Sequence, residues 1–250
     1  MTMRKLIAGN WKMNGMLAAL DEVAAIAETA AAHPAADVAL ALPATLIAAA
    51  AARSPGLAIG AQDVHARDSG AHTGCLSAAM LREAGARFTL VGHSERRGDQ
   101  GETNQDIWAK AVAARRCGLS VILCVGETAE ERDAGRAARV VQAQIEQGLP
   151  DDAEGDWLTL AYEPRWAIGT GRTPSIPEIA EIHAVARAKV RALLGDRSGA
   201  VRILYGGSVT GANADEILAI ADVDGALVGG ASLTAAKFAP IVAAGAATAV

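Results

Sequence analysis

Short apolar runs alternate with longer alanine-rich amphipathic segments along the whole chain. Several of the short runs are continuously apolar, which is typical of parallel strands buried on both faces, and the longer segments have helical periodicity. We predict strands at residues 5–8, 38–42, 57–61, 88–91, 121–125, 158–162, 201–204 and 226–228. We predict helices at residues 17–31, 45–53, 77–84, 104–117, 135–147, 177–194, 213–219 and 233–243.

Eight strand-then-helix units in 250 residues match the length and rhythm of a (β/α)8 barrel with eight parallel strands. The competing fold is the doubly wound open sheet, which favours a Gly-x-Gly-x-x-Gly turn after the first strand. The chain reads AGNWKMNG at that point and lacks this turn. No linker or change of composition divides the sequence, so we expect one α/β barrel domain over residues 1–250.

The amino-acid composition argues against a nucleic-acid-binding protein and against a membrane protein. The residues are 51% hydrophobic but only 3% aromatic, so aliphatic side chains must fill the core. The net charge is −5, with no basic patch that would indicate nucleic-acid binding. The longest uncharged run, residues 38–52, is broken by Pro43 and is shorter than a membrane span. Three cysteines without metal or redox spacing fit a reducing compartment, so we expect a cytoplasmic protein with no membrane partner.

A barrel builds its active site from the carboxyl ends of its strands. Reactive side chains do follow the predicted strands in this sequence. They are Asn10 and Lys12 after the first strand, His93, Ser94 and Glu95 after the fourth, and Glu163 after the sixth.

Three of these residues suit proton transfer next to a carbonyl group. Lys12 supplies a fixed cation, although a lone lysine is more often a surface residue and a Schiff-base lysine is the sharper alternative. His93 precedes a short helical turn, whose N-terminus favours a neutral imidazole. Glu163 is the only carboxylate within residues 157–173, and apolar neighbours should raise its proton affinity, as suits a general base.

Two glycine-rich turns, YGGS at 205–208 and LVGG at 227–230, follow the last two strands. Barrels often bind phosphate with the loops after these strands, through backbone N–H groups. Glycine pairs at both places therefore indicate a phosphate site. The loop QDVHARDSGAHTGC also holds possible metal ligands, but its spacing matches no familiar zinc module, and we expect no metal.

Six segments resemble blocks of the triosephosphate isomerase family, in the same order and with roughly the same spacing. They are AGNWKMN, VGHSERR, CVGET, AYEPRWAIGTG, ILYGGSV and DGALVGGASL. The resemblance extends along essentially the whole chain, and six collinear blocks are highly specific. It implies a homodimeric isomerase of phosphorylated trioses that needs no metal or cofactor.

The same resemblance implies a role for each matching residue. Glu163 moves the proton between two carbons, His93 acts as a neutral electrophile, and Lys12 stabilises negative charge. Asn10 and Glu95 assist Lys12. The residues implied in substrate or phosphate binding are Asn10, Lys12, Ile168, Gly169, Ser208, Leu227, Gly229 and Gly230. Ser94 and Cys124 match positions near the site, Cys124 as packing support.

A lid is implied after Glu163, and this chain departs from the family pattern at both hinges. The near hinge reads Pro164-Arg165-Trp166, where the family usually has valine in place of the arginine. The far hinge, Arg172-Thr173-Pro174, differs from the lysine and alanine that are common there. We expect these changes to alter lid motion rather than the chemistry.

The loop after the third strand is implied in the dimer interface, with Thr73 and Gly74 at its tip. His72 stands where the family typically has phenylalanine, and Cys75 where it has an acid. In relatives that acid pairs with the arginine matching Arg96 across the interface. Without it, the expectation of a homodimer rests on the rest of the loop.

Two other functions remain open at this stage. One is an isomerase of four-carbon sugar phosphates on the same scaffold, since a single methylene changes pocket affinity by only about 1–3 kcal/mol. The other is a phosphosugar-binding barrel without activity, which the presence of Lys12, His93 and Glu163 together disfavours.

Overall fold

The structure is a computed structural model that describes residues 3–167 and 173–248. Eight parallel strands close into a barrel in chain order. The strands are β1 Leu6–Asn10, β2 Asp37–Ala41, β3 Ala58–Ala61, β4 Phe88–Val91, β5 Ser120–Val125, β6 Leu158–Tyr162, β7 Arg202–Tyr205 and β8 Gly225–Val228. The predicted (β/α)8 barrel is therefore confirmed.

Ten α-helices lie among the described residues and surround the barrel. They are α1 Leu20–Ala32, α2 Ala44–Arg53, α3 Ala78–Glu83, α4 Ser94–Asp99, α5 Asn104–Arg116, α6 Ala129–Asp133, α7 Ala137–Gly148, α8 Ile176–Leu194, α9 Ala214–Leu218 and α10 Ala235–Ala247. None of these helices is long and apolar enough to cross a membrane.

The barrel closes because β1 pairs with strands on both sides. Leu6 lies opposite Asp37 of β2 and opposite Gly225 of β8, and both pairings are parallel. Every strand consequently ends at the same rim, which brings the segments after β1, β4, β6, β7 and β8 together.

The core has two layers, as the aliphatic composition requires. Small and aliphatic side chains such as Ala8, Leu90 and Leu204 fill the barrel interior, and a larger cluster packs the outside of the strands against the helices. The interior accommodates its one large ring, Phe88, because Gly60 has no side chain: a Cβ at Gly60 would lie 2.5 Å from that ring.

The predicted strands at 88–91 and 158–162 are reproduced, and the others differ by one or two residues at their ends. The short helical turn expected after His93 is present as α4, whereas α6 is not among the predicted helices. Local caps rather than apolar periodicity define both. The His93 ring accepts a hydrogen bond at the start of α4, and Thr128 forms a capping box with Glu131 at the start of α6.

One buried histidine lies outside the active-site region. His183 of α8 is fully buried, with edge contact to the ring of Tyr162. Its Nδ1 lies 3.0 Å from the Asp222 carbonyl oxygen, so this nitrogen carries the hydrogen. Within the described part of the chain its Nε2 has no hydrogen-bond partner. Burial lowers the pKa of His183 to about 4, despite the opposing influence of Asp222.

This histidine should make the fold sensitive to acid. An unfolded histidine binds a proton below about pH 6.5, whereas folded His183 does so only near pH 4. Stability from this group is therefore complete above about pH 6.5 and falls by about 3 kcal/mol as the pH drops to 4. In urea unfolding at pH 4–7, we expect His183→Gln to flatten this dependence, with His33→Gln as the partly exposed control. If the unmodified protein and both variants lost stability equally with falling pH, His183 would not be the source of the acid sensitivity.

Candidate active site

A cavity of about 580 Å³ opens at the rim formed by the carboxyl ends of the strands. It is lined by residues from five different strand ends, as the barrel geometry predicts. The sequence-predicted residues that line it are Asn10, Lys12, His93, Glu163, Thr173, Ser208, Leu227, Gly229 and Gly230.

Lys12 is held in an unusual backbone conformation. Its φ is +52°, a left-handed value that is costly for a residue with a Cβ. Two side chains hold this turn: the Asn10 Oδ1 accepts the Lys12 N–H at 2.9 Å, and the Gln62 Nε2 donates to the Lys12 carbonyl at 2.9 Å. The Lys12 ammonium forms an ion pair with Glu95 at 2.7 Å. The cation is thus directed into the cavity by contacts from three separate segments.

Glu163 follows β6 and is almost fully buried. Its Oε1 lies 3.0 Å from the His93 Nε2, and its Oε2 accepts the Ser94 N–H at 2.9 Å. Burial acts to raise its pKa, but His93, the Ser94 N–H and Lys12 together lower the pKa below the ordinary glutamate value. The expectation of raised proton affinity is therefore wrong for the ligand-free protein, because polar partners surround the carboxylate where apolar ones were expected.

Two glycines make room for Glu163. A Cβ at Gly206 would lie 2.8 Å from the Glu163 Cγ, and a Cβ at Gly126 would lie 1.7 Å from the Glu163 carbonyl oxygen. Glycine at these positions allows neighbouring strand ends to approach the glutamate closely.

His93 caps the first turn of α4. The Glu95 N–H donates to its Nδ1 at 3.3 Å. Burial lowers the pKa of His93, but the Glu163 and Glu95 carboxylates offset this and raise it above the ordinary value. The Glu95 N–H acts in the opposite direction, because it needs an unprotonated Nδ1. The carboxylates favour a charged ring and the Glu95 N–H a neutral one, so the neutral imidazole, with its hydrogen on Nε2 facing Glu163, stays a prediction.

Cys124 lies behind the site in the barrel interior. It is fully buried, and burial followed by the nearby Glu163 raises the pKa of its thiol well above the ordinary value. An un-ionised thiol is a poor nucleophile. This supports the predicted packing role.

The glycine-rich turns after β7 and β8 form the opposite side of the cavity. Ser208 and Gly230 are exposed at its edge. The Lys12 Cε lies 3.7 Å from the place a Cβ on Gly229 would occupy, so the lysine passes beside this turn. A cation and two backbone turns face the same space, which suits an anionic group such as phosphate.

Comparison with known proteins identifies the family. A family model described as triosephosphate isomerase matches residues 5–245. The triosephosphate isomerase of Afipia carboxidovorans is 56% identical over 238 residues, 94% of this chain and 95% of the relative. That of Ruegeria sp. (strain TM1040) is 52% identical over 241 residues, 96% and 98% of the two chains. The crystal structure of the Bartonella henselae enzyme superposes with a TM-score of 0.91 at 41% identity and covers 97% of this chain and 99% of that one.

The chain belongs to the triosephosphate isomerase family. It is accordingly an aldose–ketose isomerase. Neither the family model nor these relatives support the four-carbon alternative or a barrel without activity.

Trp166, at the predicted near hinge, contacts a carboxylate that is not among the predicted site residues, Glu127. This fully buried carboxylate accepts hydrogen bonds from the Tyr162 hydroxyl at 3.1 Å and the Trp166 indole at 2.8 Å. The Arg132 guanidinium lies 5.2 Å from the centre of the Trp166 ring. Glu127 lies two residues after the end of β5, so the rule that chemistry follows each strand could have found it.

The other predicted lid positions lie partly within the described residues. Pro164 is buried, and the Arg165 N–H donates to the Glu127 carbonyl at 3.1 Å. The Arg165 side chain extends over α4, since a Cβ on Gly98 would lie 3.2 Å from its Nη2. Thr173 is exposed and Pro174 is buried. Ile168, Gly169 and Arg172 lie outside the described residues.

The loop after β3 is exposed at its tip. Thr73, Gly74 and Cys75 are exposed, and the His72 ring stacks on His65 with centroids 4.1 Å apart. Among the described residues, no three histidine, cysteine or acidic side chains cluster as metal ligands do. Arg96 has acidic partners within its own chain: its Nη2 lies 2.9 Å from Asp63 and its Nε 2.6 Å from Glu102.

Proposed function

We propose that this protein interconverts dihydroxyacetone phosphate and D-glyceraldehyde 3-phosphate by proton transfer through an enediolate. The observation that carries the proposal is the convergence of a buried carboxylate, an imidazole and an ammonium group on one cavity beside two glycine-rich turns. The two ends of the cavity match a substrate with a carbonyl at one end and a phosphate at the other. Membership of the isomerase family supports this substrate class.

Glu163 is the proposed base that carries the proton between the two substrate carbons. In the ligand-free structure its oxygens are occupied by His93 and Ser94. These contacts keep it ionised but weaken it as a base. We therefore propose that substrate binding displaces Glu163 from them, which restores its basicity next to the substrate carbon.

His93 and Lys12 are the proposed stabilisers of the oxygen atoms. A neutral imidazole with its hydrogen on Nε2 can donate to the substrate carbonyl once Glu163 has moved away. The Lys12 ammonium, held by Glu95 and supported through Asn10, offsets the negative charge of the enediolate. Donors fixed before the reaction stabilise this charge without the cost of reorganisation.

The proposed phosphate site consists of Ser208, Gly229 and Gly230, with Leu227 and Lys12 beside it. By resemblance to the family, Ile168 and Gly169 close over the substrate, with hinges at Pro164–Trp166 and residues 172–174. Closure excludes water from the enediolate, which protects it from losing phosphate. The buried Glu127–Trp166 contact supports a firmly anchored near hinge.

Glu163→Ala tests the proposed base. We expect kcat for D-glyceraldehyde 3-phosphate, measured in a coupled assay, to fall about 10²–10⁴-fold because proton transfer loses its acceptor. Glu146→Ala is the matched control, since this glutamate forms a surface ion pair with Lys189. A loss of less than tenfold for Glu163→Ala, or an equal loss in the control, would refute the assignment. Comparing kcat/KM with a four-carbon phosphate tests substrate length in the same assay.

We propose further that the protein acts in the cytoplasm as a homodimer. Three free cysteines support a reducing compartment. A second depression of about 550 Å³ adjoins the catalytic cavity and shares Asn10, Lys12 and His93 with it. Exposed apolar side chains, Met13 and Leu76, line it. Such a surface suits the Thr73–Gly74 tip of a second copy.

Met13→Glu tests this assembly, because the Met13 side chain is 97% exposed in the single chain and its loss should not disturb folding. Sedimentation should give twice the 25.4 kDa chain mass for the unmodified protein. Because the dimer would bury two copies of Met13, we expect the dissociation constant of the unmodified dimer to be at least about 100-fold lower than that of the variant. Leu193→Glu, on the outer face of α8, should remain dimeric. A monomeric unmodified protein, or a fully dimeric Met13→Glu, would contradict the proposal.

A further inference from the structure

The short helix α4 touches all three groups of the proposed chemistry. Its Ser94 N–H binds Glu163, its Glu95 N–H binds His93, and the Glu95 carboxylate binds Lys12. Six residues are too few to form a stable helix alone. The position of α4 therefore depends on contacts that its side chains make with the rest of the barrel.

A closed ring of four charges supplies such contacts. Arg96 of α4 binds Asp63 and Glu102, and both carboxylates also bind the Lys110 ammonium of α5. The Arg96–Asp63 distance is 2.9 Å, and the Lys110–Asp63 distance is 2.7 Å. Cations and anions alternate around the ring, so each charge is balanced by two neighbours. The ring joins α4, α5 and the loop after β3.

Asp63 links this ring to the segment that holds Lys12, because its neighbour in sequence contacts the Lys12 backbone. The preceding residue, Gln62, donates to the Lys12 carbonyl. The Gln62 side chain thus holds the Lys12 backbone, and the Asp63 side chain holds α4, which carries Glu95. Burial raises the pKa of the Asp63 carboxyl, although Lys110 and Arg96 oppose this, so the carboxylate is buried at an energetic cost.

We propose that Asp63 is a positioning residue of the isomerase, which sets α4 against Lys12 and Glu163 through Arg96. The inference rests on the proposed roles of Lys12, His93 and Glu163. It concerns a residue that touches neither the catalytic cavity nor the substrate-binding turns.

Asp63→Asn tests the proposal, because asparagine keeps the shape of the side chain but removes its charge. We expect kcat to fall about tenfold as α4 moves relative to the cavity. We also expect the pKa of Glu163 to rise, since the weakened Ser94 N–H contact no longer lowers it as strongly. ¹³C NMR of protein labelled at the glutamate Cδ measures this pKa, and Glu163→Gln identifies the signal by its loss.

Asp222→Asn is the matched control. Asp222 is a similarly half-buried partner of an arginine, Arg187, and its side chain is 32% exposed against 25% for Asp63. Its left-handed backbone, φ +62°, is one that asparagine adopts readily. This variant should lose stability while keeping kcat within twofold and the pKa of Glu163 unchanged.

The same pattern in Asp63→Asn as in the control would overturn the proposal and leave Asp63 a purely structural ion-pair partner. If Asp63→Asn fails to fold, Lys110→Gln breaks the same ring on the α5 side and should produce both changes. An unchanged kcat and pKa in that variant would overturn the proposal equally. Full activity of Glu163→Gln would instead refute the proposed base. The two failures are distinguishable, because the NMR measurement of the Glu163 pKa does not depend on turnover.

Discussion

The arrangement of the site depends on two backbone N–H groups in the first turn of α4. Helix starts leave such groups without partners inside the helix, and here Glu163 and His93 accept them. One bond stabilises the ionised carboxylate, and the other stabilises an unprotonated Nδ1. The same turn carries the carboxylate that holds Lys12. A single short segment therefore contacts the proposed base, the imidazole and the cation.

This arrangement explains how a strong base can be stored in a water-accessible cavity. In the ligand-free protein Glu163 is ionised and occupied by donors, so its pKa is low. In the proposed mechanism, its basicity returns when those donors are exchanged for substrate. Part of the free energy of substrate binding would then go into activating the base. Glycines at 126 and 206 leave the space that the glutamate needs.

Much of this molecule could be predicted from its sequence, for identifiable physical reasons. Strands buried on both faces read as continuous apolar runs, and the barrel places their ends on one rim, so Lys12, His93 and Glu163 could be expected together. The lowered pKa of Glu163 could not be predicted, since it depends on His93 and on the Ser94 N–H, 69 residues away from the glutamate in sequence. The position of Glu127 just after β5 could have indicated that residue, but its partners could not be predicted. The partners of Glu127 and of Asp63 come from separate segments whose contacts only the folded chain defines.

The most direct test is the protonation of His93 in the ligand-free protein. ¹⁵N NMR of histidine-labelled protein at pH 7 resolves both ring nitrogens, and His93→Gln assigns the signals among the five histidines. We predict a neutral ring that is protonated at Nε2 and unprotonated at Nδ1, as the Glu95 N–H contact requires. A ring protonated at both nitrogens would contradict the account, because His93 could then not accept from α4 and donate to Glu163 as a neutral group.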